Sequence, residues 1–202
     1  MTPIKTVLFD ADGVMILPPK MFSQLYCEEF GVDIEKLVPF YKSADFKAAM
    51  RGELDLKEAI TRHQDKWQWR GNMQELLDRW FAAENYPNQE LVALVKKLQA
   101  AGTPVYLATT QERHRAKYLR QVMFPNTFDG AFISCDIGFE KSQPEYWKHV
   151  LKELTARTPG LKPEEIIFFD DSPAHLSPAH QAGVRAVLYE SPRQVATVLQ
   201  LP

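Results

Sequence analysis

The fold is decided by residues 4–14, IKTVLFDADGV, in which an apolar run leads directly into two carboxylates and a glycine. Residues 4–10 are typical of a buried β-strand, because Val, Ile, Phe and Thr favour extended backbone. Side chains two residues apart on a strand point the same way, so Asp10 and Asp12 are expected to face one point beyond its end. Gly13 lets the backbone turn away there without steric cost.

An acidic turn after a strand is also ordinary turn chemistry, so the interpretation depends on the rest of the chain. Further short apolar runs predict strands at residues 105–108, 131–133, 166–169 and 186–188, and helical patterns occupy residues 88–101, 112–123 and 144–156. Short buried strands that alternate with helices indicate an α/β fold. We expect a Rossmann-like, doubly wound parallel sheet with helices on both faces.

Residues 15–86, called the cap below, show no comparable strand, and their apolar residues recur at helical intervals. This pattern predicts an all-helical inserted domain within a core domain made of residues 1–14 and 87–202. Asp55 is a candidate helix N-cap within the insertion. Trp80 is expected in the interior of the cap, and at least one of Trp67 and Trp69 is expected to be partly exposed or to face a cleft.

Composition limits the partners of the chain. It has 202 residues, 45% of them hydrophobic and 25% charged, with a formal net charge of −2. This balance favours neither nucleic acid nor an anionic membrane as a partner. No basic leader precedes an apolar stretch and no stretch approaches the roughly 20 apolar residues of a membrane span, so we expect a cytoplasmic protein. Cys27 and Cys135 are expected to be buried, reduced thiols. The sequence leaves monomer and homodimer both open.

Three of the predicted strands end in polar side chains, and the loop after the strand at residues 131–133 carries a lysine. These residues are Asp10 and Asp12, Thr109 and Thr110, Lys141, and Asp170 and Asp171. The carboxyl ends of parallel strands meet at one crevice, so these groups are expected to converge. Two like charges about 4 Å apart repel by roughly 4 kcal/mol at an effective dielectric of 20, so clustered carboxylates require a cation or a proton. Their hard oxygen atoms favour Mg²⁺.

These residues resemble, over essentially the whole chain, the four motifs of the haloacid dehalogenase (HAD) superfamily of aspartate-nucleophile phosphohydrolases. Asp10 to Val14 match the first motif, Thr109 the second, Lys141 the third, and the Asp170–Asp171 pair the fourth. The cap is similar to the helical cap that many members insert after the first motif.

The resemblance implies a role for each matched residue. Asp10 is the expected nucleophile and a metal ligand, and Asp12 is the expected general acid and base, with its backbone carbonyl on the metal. Thr109 and Lys141 are expected to stabilise the transferring phosphoryl group. Phosphate contacts are expected from Asp10, Gly13, Thr109, Thr110 and Lys141, and metal ligands among Asp10, Asp12, Asp170 and Asp171. Within the acidic pair, Asp171 is the first choice for direct ligation, and Asp170 is a second ligand or an orienter acting through water.

Three positions depart from the family pattern. Ser142 follows Lys141 where proline is usual, and Thr110 follows Thr109 where asparagine is common. Neither change removes a group that the reaction needs. His175 stands where an asparagine often supports the acidic loop, so the hydrogen bonding behind the acidic residues is expected to differ from the family pattern.

The expected function is a magnesium-dependent phosphatase that hydrolyses a small phosphorylated metabolite, a sugar phosphate or similar, through an aspartyl-phosphate. The alternatives are a phosphomutase, a phosphonate-cleaving enzyme that would use a cap lysine such as Lys57 or Lys66, or a non-catalytic binding protein. Asp12 argues against a halide-displacing enzyme, because such relatives generally lack the second aspartate. Candidates for substrate specificity within the cap are Lys20, Arg51, Trp67, Trp69 and Arg70.

Overall fold

The strands form a five-stranded parallel sheet in the order β3-β2-β1-β4-β5. The computed structural model describes residues 2–201. The strands are β1 (Thr6–Phe9), β2 (Val105–Thr109), β3 (Gly130–Ile133), β4 (Ile166–Asp170) and β5 (Arg185–Leu188). The central strands β1, β2 and β4 are buried along their whole length, as expected for a parallel sheet covered on both faces. The five predicted strands and the doubly wound α/β fold are confirmed.

Twelve α-helices accompany the sheet within the described residues. They are α1 (Phe22–Phe30), α2 (Ile34–Tyr41), α3 (Ala44–Met50), α4 (Leu56–Thr61), α5 (Gln64–Trp67), α6 (Met73–Ala83), α7 (Gln89–Ala100), α8 (Arg113–Tyr118), α9 (Ser134–Ile137), α10 (Pro144–Arg157), α11 (Pro173–Gln181) and α12 (Pro192–Val198). The predicted helix 112–123 begins as α8 and ends in a π-helical turn, Leu119–Met123. Asn88 and Asp55 are N-caps, as predicted, because their side chains accept backbone N–H groups of Leu91 and Lys57.

Two apolar cores pack against opposite faces of the sheet. Alternation along β1 sends Val7 and Phe9 to the face covered by α7 and α12, and Leu8 to the face covered by α10 and α11. Tyr146 and Trp147 of α10 are fully buried on the second face. This packing fixes the β1 and β4 ends against one another, and Phe9 stacks on Phe169 with ring centroids 5.4 Å apart.

Helices α1 to α6 enclose a separate apolar core in the cap. Its centre is Trp67, which is fully buried and meets the Phe40 ring edge-on at 5.3 Å. The tryptophan prediction is therefore wrong. Trp67 and Trp69 are both buried, whereas Trp80 is only half-buried, because the α6 face that carries it borders a cavity.

The two cysteines are both free thiols. Cys135 is buried as predicted, and burial raises the pKa of its thiol to about 12. Cys27 is only half-buried on α1, so the expectation that both thiols are fully buried is wrong for this residue.

The chain enters and leaves the cap through two paired segments. Ile16 forms an antiparallel bridge with Pro87, and the Leu17 and Asn88 amides donate hydrogen bonds to the carbonyls of Tyr86 and Met15 at 2.9 and 2.8 Å. These contacts bring the predicted boundaries at residues 14/15 and 86/87 side by side. The division into domains at these residues stays a prediction.

Within residues 2–201, no helix has both the length and the apolar character needed to cross a bilayer.

The central position of Trp67 generates a stability prediction. Trp67→Ala removes a fully buried ring and leaves a cavity that the surrounding aromatic residues cannot fill, so it should lower the free energy of unfolding by about 3–5 kcal/mol. Urea denaturation followed by circular dichroism measures this change. The control is Tyr86→Ala, at a side chain that is 49% exposed, which should change stability by no more than about 0.5 kcal/mol. Equal losses in the two variants would contradict the packing described for the cap.

Candidate active site

Lys141 lies at the centre of the site and is almost fully buried, with its side chain 1% exposed. Its ammonium Nζ lies 2.5 Å from Asp10 Oδ1 and 2.6 Å from Asp170 Oδ2. Burial disfavours the charged ammonium, but the two carboxylates outweigh this effect and raise the pKa of Lys141. Lys141 therefore stays charged and joins the ends of β1 and β4.

The backbone of Lys141 is fixed from both sides. The Trp147 indole N–H donates a hydrogen bond to the Lys141 carbonyl at 2.9 Å, and the Lys141 amide donates one to Thr110 Oγ1 at 3.3 Å. Trp147 is fully buried under the sheet. The loop after β3 is thus held in place although Ser142 replaces the usual proline.

Asp170 lies behind the site, fully buried, with both carboxylate oxygens already bound. Its Oδ2 accepts from Lys141, and its Oδ1 accepts from the Ser172 amide at 2.8 Å and lies 3.0 Å from His175 Nδ1. Burial opposes ionisation, but the His175 hydrogen bond and the Lys141 charge outweigh it and lower the pKa of Asp170. His175 therefore supports the acidic loop through Asp170.

Asp10 and Asp171 are left short of positive charge. Burial raises the pKa of Asp10 to about 6 against the opposing pull of Lys141, and the nearby Asp170 adds to the rise. Burial and Asp170 also raise the pKa of Asp171. A cation beside these two carboxylates would relieve both effects.

The donor set fits Mg²⁺, which prefers carboxylate and carbonyl oxygens. One ligand atom from each of Asp10, Asp170 and His175 lies within 4.8 Å of the others, but Lys141 already occupies the space beside the two carboxylates. Asp10 and Asp171 face the open cavity instead. This arrangement favours Asp171 over Asp170 as the direct ligand.

Gly13 makes room for Asp171. Its φ of +79° is the left-handed conformation that glycine adopts without strain. A Cβ atom at this position would lie 2.0 Å from Asp171 Oδ2, far inside van der Waals contact. Gly13 therefore allows both the backbone turn after Asp12 and the close approach of the Asp171 carboxylate, which follows β4.

Asp12 lies in the turn that follows Asp10, and its side chain is 44% exposed to solvent. Gln111 Nε2 donates a hydrogen bond to Asp12 Oδ2 at 2.5 Å, and Arg115 Nη2 lies 3.6 Å from Oδ1. Arg115 is itself buried and also contacts Glu84, at 3.4 Å. Two residues of the β2–α8 region thus orient Asp12.

Two cavities meet at Asp12. The smaller, about 360 Å³, is lined by Asp10, Asp12, Gly13, Met21, Thr109, Thr110, Gln111, Lys141, Asp171 and His175. The larger, about 480 Å³, lies between the cap and the core and shares Asp12, Met21, Thr110 and Gln111 with the smaller one. The structure therefore brings seven of the eight predicted site residues to one cavity and puts the eighth, Asp170, directly behind it.

Sequence reasoning missed the residues that shape the larger cavity. Gln111, Arg115 and Glu84 carry no recognisable spacing in the sequence, and only the position of Gln111 two residues after Thr109 hinted at a shared face. The five proposed specificity residues line neither cavity. Trp67 and Trp69 are buried in the cap, Lys20 pairs with Glu28, Arg51 pairs with Glu53 and Glu140, and Arg70 is exposed.

The contact between Gly13 and Asp171 predicts a specific loss. Gly13→Ala should displace the Asp171 carboxylate and weaken Mg²⁺ binding, as measured by isothermal titration calorimetry. The matched control is Gly138→Ala, at a glycine with φ +84° where an added Cβ would meet no atom within 4 Å. This control carries the same backbone strain of about 1–2 kcal/mol without the collision, so it should bind Mg²⁺ normally. Equal binding by both variants would show that the close approach is unimportant.

The charge distribution predicts an unusual titration. In the metal-free protein the Asp10 carboxyl should lose its proton near pH 6, because its pKa is raised to about 6. NMR of the side-chain carboxyl carbons should show one aspartate with this midpoint, and Asp10→Asn should remove it. Mg²⁺ stabilises the ionised form, so adding it should move the midpoint to lower pH. A midpoint near the ordinary value of 3.8 without metal would contradict the burial argument.

Known proteins resemble this chain in both sequence and structure. The sequence is 29% identical over 121 residues to bifunctional epoxide hydrolase 2 of Rattus norvegicus, covering 58% of this chain and 21% of that protein. It is 28% identical over 99 residues to the sesquiterpene phosphatase astK of Aspergillus oryzae, covering 48% of each. The chain thus spans about a fifth and about half of the lengths of these two relatives.

A HAD family enzyme from Bacteroides thetaiotaomicron has a similar structure, with a TM-score of 0.76, 20% sequence identity, and 97% of this chain and 98% of that chain covered. The same enzyme in complex with magnesium and inorganic phosphate gives a TM-score of 0.72 at 21% identity, with 93% and 94% covered. The sequence profile of the haloacid dehalogenase-like hydrolases matches residues 4–183, most of the chain. Profile, fold and sheet-end geometry agree, and the chain belongs to the haloacid dehalogenase-like hydrolases.

Proposed function

We propose that this hydrolase is a magnesium-dependent phosphatase of a small phosphorylated metabolite. The observation that carries the proposal is the arrangement of three groups around the smaller cavity. Asp10 is held against Lys141 at 2.5 Å, and Asp12 stands where this cavity opens into the larger one. A nucleophile, a compact positive charge and a proton donor thus border one cavity of about 360 Å³, which has room for a phosphoryl group.

In the first step, an Asp10 carboxylate oxygen attacks phosphorus while the bond from phosphorus to the leaving oxygen breaks. Asp12 gives its proton to that oxygen, and an alcohol departs. Asp12, now ionised, takes a proton from water, and the hydroxide attacks phosphorus. The bond to Asp10 breaks, which releases inorganic phosphate and restores both aspartates.

Lys141 and Thr109 bind the phosphoryl oxygens in this scheme. The buried ammonium stabilises a developing negative charge more strongly than it would in water, because little solvent screens the interaction. Bound Mg²⁺ would cancel the repulsion between the Asp10 carboxylate and the incoming phosphate, with Asp10, Asp171 and the Asp12 carbonyl as its protein ligands. Asp170 and His175 would orient Lys141 and the acidic loop from behind.

Several observations favour this function over the alternatives. The Bacteroides enzyme of similar fold was crystallised with magnesium and inorganic phosphate, and one curated relative is named a sesquiterpene phosphatase. Asp12 is present and oriented by Gln111, whereas a halide-displacing mechanism has no use for this acid. Lys57 and Lys66, the cap lysines considered for a phosphonate-cleaving enzyme, line neither cavity.

The proposal predicts magnesium-dependent turnover. The protein should release inorganic phosphate from a panel of phosphomonoesters with Mg²⁺ and not with EDTA, as measured by a colorimetric phosphate assay. Asp10→Asn should abolish release because it removes the nucleophile. Asp12→Asn should lower kcat by roughly 10²–10⁴-fold, the usual contribution of a general acid and base.

The control is Asp65→Asn, which makes the same chemical change on the exposed surface of α5 and should leave the rate unchanged. Transfer of phosphate between positions of one sugar without net release would identify a phosphomutase instead. Cleavage of phosphonoacetaldehyde alone would identify a phosphonate-cleaving enzyme. Binding without any turnover would favour the non-catalytic role.

A further inference from the structure

We propose that the larger cavity binds the leaving group of the substrate, and that this group is an uncharged alcohol with a bulky apolar or aromatic part. The inference rests on the proposed phosphatase function and names the substrate class for the same site. It replaces the sugar phosphate that the sequence suggested. Position, wall composition and charge each support it.

The position follows from Asp12. This residue gives its proton to the oxygen that bridges phosphorus and the alcohol, so that oxygen must lie beside it. The two cavities meet at Asp12, Thr110 and Gln111. With the phosphoryl group next to Asp10 and Lys141 in the smaller cavity, the alcohol extends into the larger one.

The wall of the larger cavity is mainly apolar. Its apolar and aromatic members are Met21, Tyr41, Phe46, Met50, Leu56, Trp80 and Phe81. Trp80 is the largest of them and is only half-buried, although it lies in the interior-facing row of α6. Its ring is fixed by stacking on Phe22, with centroids 5.4 Å apart, and by the edge of Tyr41 at 5.9 Å.

A wall fixed in this way is ready for an apolar ligand, because little side-chain freedom remains to be lost on binding. The volume of about 480 Å³ is large enough for an aryl group or a branched alkyl chain of several carbons.

Five of the six charged side chains of the wall already have ion-pair or hydrogen-bond partners, and the sixth, Lys47, is exposed to solvent. Glu84 accepts the Phe22 amide at 2.9 Å and contacts Arg115, and Arg115 also contacts Asp12. Glu112 accepts the backbone amides that begin α8. Glu140 pairs with Arg51 at 3.4 Å.

This wall has two consequences for the leaving group. Besides Asp12, which holds a proton at this stage, the lining contains three carboxylates, from Glu84, Glu112 and Glu140, against two cations, from Lys47 and Arg115, so no surplus of positive charge favours a second anionic group. The surface of the wall is mainly apolar, so a polyol would lose more of its surrounding water than the wall could replace, and burying a sugar would be costly. An uncharged apolar alcohol needs neither a surplus of charge nor a polar wall.

The decisive experiment measures kcat/KM for phosphate release from a series of straight-chain alkyl phosphates, from ethyl to octyl. Chain length hardly changes the chemistry of the leaving oxygen, so a trend reports binding in the larger cavity. Each buried methylene should raise kcat/KM by about two- to fourfold until the cavity is full. Hexyl phosphate should exceed glycerol 1-phosphate and glucose 6-phosphate by on the order of 100-fold.

A second comparison tests the charge of the leaving group. Phosphocholine and 3,3-dimethylbutyl phosphate have nearly the same shape, but only the former carries a positive charge. We expect the uncharged ester to be the better substrate. A preference for phosphocholine would show that the aromatic wall and its carboxylates select a cation, which would overturn the inference.

Two variants connect the trend to the cavity wall. Trp80→Ala should flatten the dependence on chain length, so that the octyl to ethyl ratio falls by at least about tenfold. Met50→Gln keeps the size of a second wall residue and makes it polar, so it should lower the ratio too and serves if Trp80→Ala does not fold. The control is Tyr86→Ala, which removes an exposed aromatic ring that lines neither cavity and should keep the wild-type ratio.

The outcomes separate the two proposals. Magnesium-dependent release with a flat or reversed dependence on chain length, or a preference for the sugar phosphate, overturns the inference and leaves the phosphatase function in place. Absence of release from every ester overturns the phosphatase function and the inference with it. A rising trend that Trp80→Ala flattens and Tyr86→Ala preserves supports both.

Discussion

The site depends on the buried ammonium of Lys141, which lies between Asp10 and Asp170. A buried charge is costly unless close partners compensate for it, and here the two partners come from the ends of β1 and β4 while the lysine comes from the loop after β3. The sheet order β3-β2-β1-β4 brings these three ends together. Fold and chemistry are therefore coupled, because neither the lysine nor the carboxylates could stay buried and charged without the others.

The same cluster of charges explains why the pKa values of the acidic residues shift in different directions. Lys141 and His175 satisfy Asp170 and lower its pKa, whereas Asp10 and Asp171 keep raised pKa values. In the proposed reaction a divalent cation would supply the positive charge that these two carboxylates lack. Gly13 allows the close approach of Asp171, since a Cβ atom on residue 13 would collide with its carboxylate.

The cap adds a larger, mainly apolar cavity next to the small polar cavity at the sheet edge. Asp12 stands between a small polar cavity and a larger one walled by aromatic and thioether side chains. Proton transfer at Asp12 would thus occur where a phosphate ends and an apolar alcohol begins. The paired segments at Ile16 and Pro87 hold the cap over the sheet edge, so the larger cavity exists only when cap and core are together.

The sequence by itself predicted the sheet, its helices and the residues that meet at the sheet edge, because the strands are short apolar runs and most of the polar groups follow a strand end directly. In a parallel sheet that local position is enough to predict convergence. Lys141 comes later, in the loop between α9 and α10. Hydrophobic periodicity alone could not predict which cap residues are buried and which line a cavity. It identifies the apolar face of a helix, but it does not show what packs against that face. Trp67 and Trp80 occupy similar patterns, yet only the packing of α6 against a cavity leaves Trp80 open. The same holds for the residues around Asp12, which are Arg115, Glu84 and Gln111. They lie far from Asp12 in the sequence and show no diagnostic spacing, so only the tertiary structure reveals that they surround it.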